Sequence, residues 1–171
     1  GESAFNDCTS LTSVVIPNSV TIIRETAFYN CTHLTSVVIP NSVTIIGSSA
    51  FSGCTKLRSV TFPQNISIRE NAFSNCTSLK EVVLPDTVKA LQTNSFRNCT
   101  ALHTVTMPSY FKSTFLASCD KLVLDGCTNL KVIIMPSKEP LRSLTNLAQN
   151  KLDSVSVIVP NGSLEAYTKD R

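Results

Sequence analysis

One short pattern recurs along almost the whole chain, and it constrains the fold more than any other feature. A Cys-Thr pair returns at intervals of 23, 23, 22, 23 and 28 residues, and a leucine follows each cysteine by three residues. The cysteines of these pairs are Cys8, Cys31, Cys54, Cys76, Cys99 and Cys127. The full unit has the form A-F-x-x-C-T-x-L-x-x-V-x-I-P-x-x-V-x-x-I, followed by three or four residues before the next Ala-Phe. Self-similarity at such a period predicts a repeat protein.

The period also predicts how the repeats pack. One unit is too short to bury its own apolar side chains, so successive units must stack and share a continuous core. In the first unit, Val14 and Ile16 alternate inward as in a strand, and Pro17 ends the strand because it has no backbone N–H to donate. Val20 and Ile23 turn inward on a second limb, and an Ala-Phe pair fills the next corner. With stacked strands about 4.8 Å apart, seven coils would make a rod roughly 30–35 Å long.

Three segments carry a family resemblance: 19–23, which reads S-V-T-I-I; 50–57, which reads A-F-S-G-C-T-K-L; and 157–167, which reads V-I-V-P-N-G-S-L-E-A-Y. They resemble the BspA-like, or treponemal-type, leucine-rich repeats. The expected fold is therefore a right-handed leucine-rich-repeat solenoid, β-rich with short strands and little helix, with about seven coils of ~23 residues and a C-terminal cap. The resemblance also implies an extracellular or cell-surface location. The family has diverse roles, so it implies much less about activity.

We expect a single solenoid domain over 1–171, with regular repeats at 4–108, an irregular insertion at 109–122, and the last coils and cap at 123–171. The insertion could hold a short helix or bulged loop; a substituted limb that packs Phe111 and Phe115 inward is the preferred interpretation. Residues 140–150 have leucines at helical spacing and predict a short amphipathic helix. Because the chain begins in the middle of the pattern, we expect that further coils precede Gly1.

The residues offer little for catalysis or metal binding. The repeated cysteines lack the clustered C-x-x-C spacing of a metal site, and their parallel side chains suit small buried groups better than disulfides. Cys119 lies outside the repeat, and His33 and His103 occupy variable positions expected at the surface. There is no G-x-S-x-G, no H-E-x-x-H and no phosphate-binding glycine loop. We therefore expect no enzyme, no catalytic residue, no cofactor and no metal.

Two further classes of partner, nucleic acids and membranes, are disfavoured. The net charge is only +3 with no Lys/Arg cluster, which argues against nucleic acid, and no apolar run is long enough for a transmembrane helix.

The Asn-Cys-Thr triplets at 30–32, 75–77 and 98–100 match glycosylation acceptors. They coincide with the repeat, where asparagine suits a tight turn.

The outward side of the repeated strand is the predicted contact surface for a protein or glycan ligand of unknown identity. Its residues are Thr12, Val15, Thr35, Val38, Arg58, Thr61, Lys80, Val83, His103, Thr106, Lys131 and Ile134. The favoured function is a non-enzymatic interaction module of a secreted or cell-surface protein, with a role in adhesion. The alternative is a structural spacer or self-associating array, in which the exposed valines merely favour strand formation. A strand face no more apolar than the opposite side would favour the spacer.

Overall fold

The computed structural model describes residues 1–109, 122–137 and 154–163, which form a parallel β-solenoid of about five turns. The predicted class of fold is confirmed, although the number of turns is slightly smaller than the seven coils expected. No α-helix occurs in these three described ranges. Most of the predicted insertion, the predicted helix at 140–150 and most of the predicted cap lie outside the described residues, and the proposed division of the domain stays a prediction.

Each regular turn has two strand-forming limbs. The first limb carries β2 (Ser36–Val38), β4 (Ser59–Thr61), β6 (Glu81–Val83), β8 (Thr104–Thr106), β9 (Val132–Ile134) and β10 (Ser156–Ile158). The second limb carries β1 (Ile22–Ile23), β3 (Ile45–Ile46), β5 (Ser67–Ile68) and β7 (Ala90–Leu91). All pairings are parallel: β1-β3-β5-β7 form one sheet, β2-β4 a second, and β6-β8-β9-β10 a third. Residues at the same repeat position therefore lie over one another, as Val37 does over Val60.

The alternation within each first-limb strand follows the predicted pattern. In β2, Val37 is buried while Ser36 and Val38 are exposed, and β6 repeats this arrangement. The first coil differs, because its strand segment near Val15 is not assigned as a strand. Along this segment, the Thr35 N–H of the next coil still donates to the Thr12 carbonyl oxygen at 3.2 Å.

Stacked phenylalanines form the spine of the core. The rings of Phe5, Phe28, Phe51, Phe73 and Phe96 lie nearly parallel, with centroids 5.0–5.3 Å apart and interplanar angles of 2–7°. Phe62 from the first limb meets Phe73 edge-on at 5.5 Å. The last three rings of the stack, of Phe51, Phe73 and Phe96, are at most 1% exposed. The phenylalanine of the Ala-Phe pair, which was predicted to fill a corner of the coil, therefore lies at the centre of the core.

The residue before each repeated cysteine has a positive φ, which explains its identity. The φ angles there are between 55° and 77°, in the left-handed region where glycine is unstrained and asparagine and aspartate are tolerated. The six residues at this position are Asp7, Asn30, Gly53, Asn75, Asn98 and Gly126. The asparagines of the Asn-Cys-Thr triplets thus serve the turn, as the sequence predicted.

Candidate functional site

The outward side of the first limb, hereafter the strand face, carries a column of mostly apolar residues, hereafter the apolar column. Its members, which share one repeat position, are Val15, Val38, Thr61, Val83, Thr106, Ile134 and Ile158. Val15 is 91% exposed, Val38 66%, Val83 53% and Ile158 52%. On the second limb, by contrast, Ile22 is the one large apolar residue with comparable exposure among the described residues, at 42%. The strand face is therefore the more apolar of the two sides.

A second column on the strand face is basic. Thr12 and Thr35 begin it, and Arg58, Lys80, His103 and Lys131 continue it, all of them exposed. Backbone hydrogen bonds fix the register within each sheet: in the sheet of β2 and β4 the Arg58 N–H donates to the Thr35 carbonyl at 2.8 Å, and in the sheet that contains β6 and β8 the His103 N–H donates to the Lys80 carbonyl at 3.0 Å. The Lys131 N–H extends this register by donating to the His103 carbonyl oxygen at 3.0 Å.

Between these columns runs a middle column of mostly small side chains. Its members are Ser36, Ser59, Glu81, Thr104, Val132 and Ser156, which are paired in register along the sheets. None of the cations in the basic column is ion-paired within the described part of the chain, where the single ion pair joins Arg97 to Asp125 at 3.5 Å. The strand face thus presents a basic column, a shallow polar strip and an apolar column, all running along the solenoid axis.

All twelve residues predicted for the surface lie on this one face. Ten are exposed, whereas Thr106 and Ile134 are half-buried. Their role in binding stays a prediction. Ile158 belongs to the same apolar column but was missed, although Pro160 follows it by two residues, as Pro40 follows Val38. That spacing was the signal that could have found it.

The repeated thiols are structural hydrogen-bond donors. The Sγ–H of Cys54 donates to the Phe28 carbonyl at 3.2 Å, and that of Cys76 donates to the Phe51 carbonyl at 3.2 Å. Burial raises the pKa of Cys31 to about 11 and that of Cys54 to about 12, so these thiols stay protonated at neutral pH and are poor nucleophiles. The prediction of small buried groups holds for the four central cysteines, while the two terminal ones of this ladder are half-buried. The thiol-to-carbonyl bonds themselves were not predicted.

Within the described part of the chain, neither histidine is hydrogen-bonded to a cysteine. The His33 Nδ1 lies 2.7 Å from the Thr9 carbonyl oxygen, so that nitrogen is the donor of a local hydrogen bond, and its ring is exposed. His103 stands in the basic column. Over the described ranges, no three His, Cys, Asp or Glu side chains group together as a metal site.

Comparison with known proteins decides the family. The model of the family described as BspA type Leucine rich repeat region matches residues 1–123 and 66–167, with six copies in the chain. The chain belongs to the BspA-type leucine-rich-repeat family. Repeats of this kind serve as protein-interaction modules, and solenoids of the family are generally non-enzymatic. No curated protein sequence matches the chain.

Several solved structures share the fold of the chain. The Treponema pallidum leucine rich repeat protein TpLRR is 33% identical with a TM-score of 0.68, and the match covers 79% of this chain and 61% of TpLRR. A leucine rich cell surface protein of Faecalibacterium prausnitzii is 28% identical with a TM-score of 0.66, over 82% of this chain and 36% of that one. The pneumococcal vaccine antigen PcpA, at 20% identity, shows the fold alone, with a TM-score of 0.72 over 93% and 38% of the two chains. The chain thus spans less than two thirds of each of these proteins.

One further finding concerns membranes. Across the residues that the structure describes, no helix has the length and apolar character needed to cross a bilayer.

Proposed function

We propose that this chain is a non-enzymatic interaction module of a secreted or cell-surface bacterial protein, and that the strand face contacts a protein ligand in adhesion. The exposed apolar column is the observation that carries this proposal. The cell-surface description of the Faecalibacterium prausnitzii relative supports the location.

The contrast between the two limbs favours binding over a spacer. If β-propensity alone selected the exposed residues, both limbs would carry similar exposed apolar residues, because both form strands. The outward residues of the second limb are instead Ile22, Ile45, Ser67 and Ala90, and the last three are half-buried. Burying one valine or isoleucine at an interface contributes about 1.5–3 kcal/mol, so a column of four exposed ones is a substantial potential contact.

The proposal is tested by binding of the purified chain to an array of extracellular matrix proteins and glycans. The test variant combines Val38→Asp, Thr61→Asp and Val83→Asp, which place three carboxylates in the apolar column. The matched control combines Thr21→Asp, Ile22→Asp and Thr44→Asp, which add the same charge to exposed positions on the second limb. We expect the strand-face variant to lose a protein hit that the control retains.

Three outcomes would contradict the proposal. A hit that both variants keep would place the contact elsewhere, and a hit that both lose would indicate a nonspecific charge effect. If the folded wild-type protein binds nothing on the array, the spacer replaces the interaction module. Sedimentation velocity would then show whether the chain self-associates as an array.

A further inference from the structure

We infer that the strand face receives an acidic amphipathic helix of a partner protein, which lies along the solenoid axis with carboxylates over the basic column and apolar side chains over the apolar column. This inference rests on the proposed function, because it names the partner's chemistry for the same face. Three features of the face support it: the charge of one column, the distance between columns, and the spacing of the coils.

The basic column places three cations, Arg58, Lys80 and Lys131, at one exposed repeat position, with His103 between Lys80 and Lys131. Where the strands are paired, neighbouring positions of the column are about 4.8 Å apart. Among the described residues of the strand face, Glu81 in the middle column is the nearby carboxylate, and no ion pair joins it to these cations. A row of partner carboxylates would neutralise the three cations.

The width of the strand face fits a helix. Lys80 and Val83 are three residues apart along one coil, which corresponds to about 10 Å in an extended strand. An α-helix with its side chains is about 10–12 Å across, so one helix centred over the middle column would reach both outer columns. The small side chains of Ser36 and Ser59 leave room for it.

The spacing between coils also matches the rise per turn of a helix better than the same-face residue spacing of an extended strand. A helix presents residues on one face once per turn of about 5.4 Å, which differs from the coil spacing of about 4.8 Å by roughly 0.6 Å. Over the three steps from Arg58 to Lys131 the mismatch reaches about 2 Å, which long basic side chains can absorb. An extended partner strand presents same-face residues about every 6.6 Å, and its mismatch over three steps is about 5 Å.

An anionic polysaccharide is the competing ligand, and the apolar column argues against it. A sulfated or carboxylated glycan would neutralise the basic column but would leave Val38 and Val83 in water. A helix with adjacent acidic and apolar stripes engages both columns at once.

Synthetic peptides test this directly. One helical peptide of about five turns carries a glutamate stripe beside a leucine stripe, and a second has the same composition scrambled so that neither stripe exists. Heparin serves as the polyanion without an apolar face. Fluorescence anisotropy measures Kd for the wild-type chain, for the charge-reversal variant R58E/K80E/K131E, and for the matched control R24E/R69E/K89E on exposed positions outside the basic column.

We expect the striped peptide to bind at least about tenfold more tightly than the scrambled one. Charge reversal in the basic column should weaken that binding at least about tenfold, the control variant less than about threefold, and added salt should weaken it further. Circular dichroism confirms that both variants remain folded.

The inference is wrong if the striped peptide binds no better than the scrambled one, or if the two charge variants weaken it equally. Heparin binding without peptide binding would replace the helix with an anionic glycan. If a protein hit from the array is lost with the Val38→Asp, Thr61→Asp, Val83→Asp variant but is indifferent to the charge reversal, the proposed function stands and the acidic helix does not.

Discussion

The phenylalanine spine allows one substitution to be compared at two places in the same stack. Phe73 is fully buried and its ring is stacked between those of Phe51 and Phe96, at 5.2 and 5.3 Å, with Phe62 edge-on at 5.5 Å. Phe5 occupies the same repeat position, but it is 42% exposed and stacks on Phe28 alone, at 5.1 Å. Truncating a buried phenylalanine to alanine costs about 3–5 kcal/mol, and each aromatic pair adds about 0.5–1.5 kcal/mol.

We therefore expect Phe73→Ala to lower the free energy of unfolding by about 5 kcal/mol, and Phe5→Ala to lower it by about 1–2 kcal/mol. Because a domain is typically stable by only 5–15 kcal/mol, and each coil is stabilised by its neighbours, Phe73→Ala should also separate the unfolding of the two halves. Its urea transition should then broaden, with a smaller m-value.

The assay is urea unfolding followed by far-ultraviolet circular dichroism on the wild-type chain and both variants. Should Phe73→Ala fail to fold, Phe73→Leu retains much of the volume and is expected to cost about 1–2 kcal/mol. Equal losses for the alanine substitutions at Phe73 and Phe5, within about 1 kcal/mol, would refute the reasoning, since they would mean that burial and ring stacking do not determine the contribution of this position.

Three smaller predictions concern other parts of the coil. Gly47→Ala should lower the free energy of unfolding by more than about 2 kcal/mol, because its new Cβ would lie 2.6 Å from the Glu25 backbone nitrogen. Gly162→Ala has open space around the new Cβ but a φ of +80°, and it should lower the free energy of unfolding by about 1 kcal/mol. The reverse order in urea unfolding would contradict this. The pKa of the Cys54 thiol is about 12 in the folded state against 9.0 ordinarily, so the unfolded chain loses this proton at a lower pH than the folded protein does. The contribution of this thiol to stability is therefore complete below pH 9 and is lost as pH rises toward 12. The stability of the wild type should accordingly fall more steeply than that of Cys54→Ala above pH 9, by about 1.4 kcal/mol per pH unit, and parallel curves would exclude a role for this thiol. Lys80→Glu should raise stability by about 0.2–1 kcal/mol in low salt and less in high salt, because it places a carboxylate in the column that carries Arg58 and Lys131; an unchanged Tm would show that charges in this column do not affect stability.

The parts of the fold that were predictable are those that the repeat makes identical. A side chain that packs against its own equivalent one coil away is confined to one size and polarity, as Phe51 and Phe73 are. The period therefore revealed the stack, and alternation around Val37 separated the buried side of the strand from the exposed side. For the same reason all twelve residues of the predicted surface could be assigned to one face before any geometry was known.

The turns were less predictable because their conformation is imposed by neighbouring coils. Thr26 has a φ of 50°, although β-branched residues rarely adopt the left-handed region. Its N–H donates to the Ser48 carbonyl at 3.0 Å, and its hydroxyl lies 2.8 Å from that of Ser3, so both adjacent coils hold it in place. The Cys54 bond to the Phe28 carbonyl likewise joins residues 26 positions apart. Local sequence carries no mark of either interaction.

The same repetition that makes the fold predictable makes the partner hard to predict, because interactions with a partner do not have to repeat. The informative positions are those where the chain departs from its own pattern at an energetic cost. Thr12 and Thr35 show that a neutral residue is compatible with the basic column's position, yet the next four coils place Arg58, Lys80, His103 and Lys131 there. Stability alone would favour threonine or alternating charges at stacked positions. A run of basic residues that the fold does not require is more readily explained by a requirement from outside the fold, and this is why the basic column is the strongest support for the proposed acidic partner.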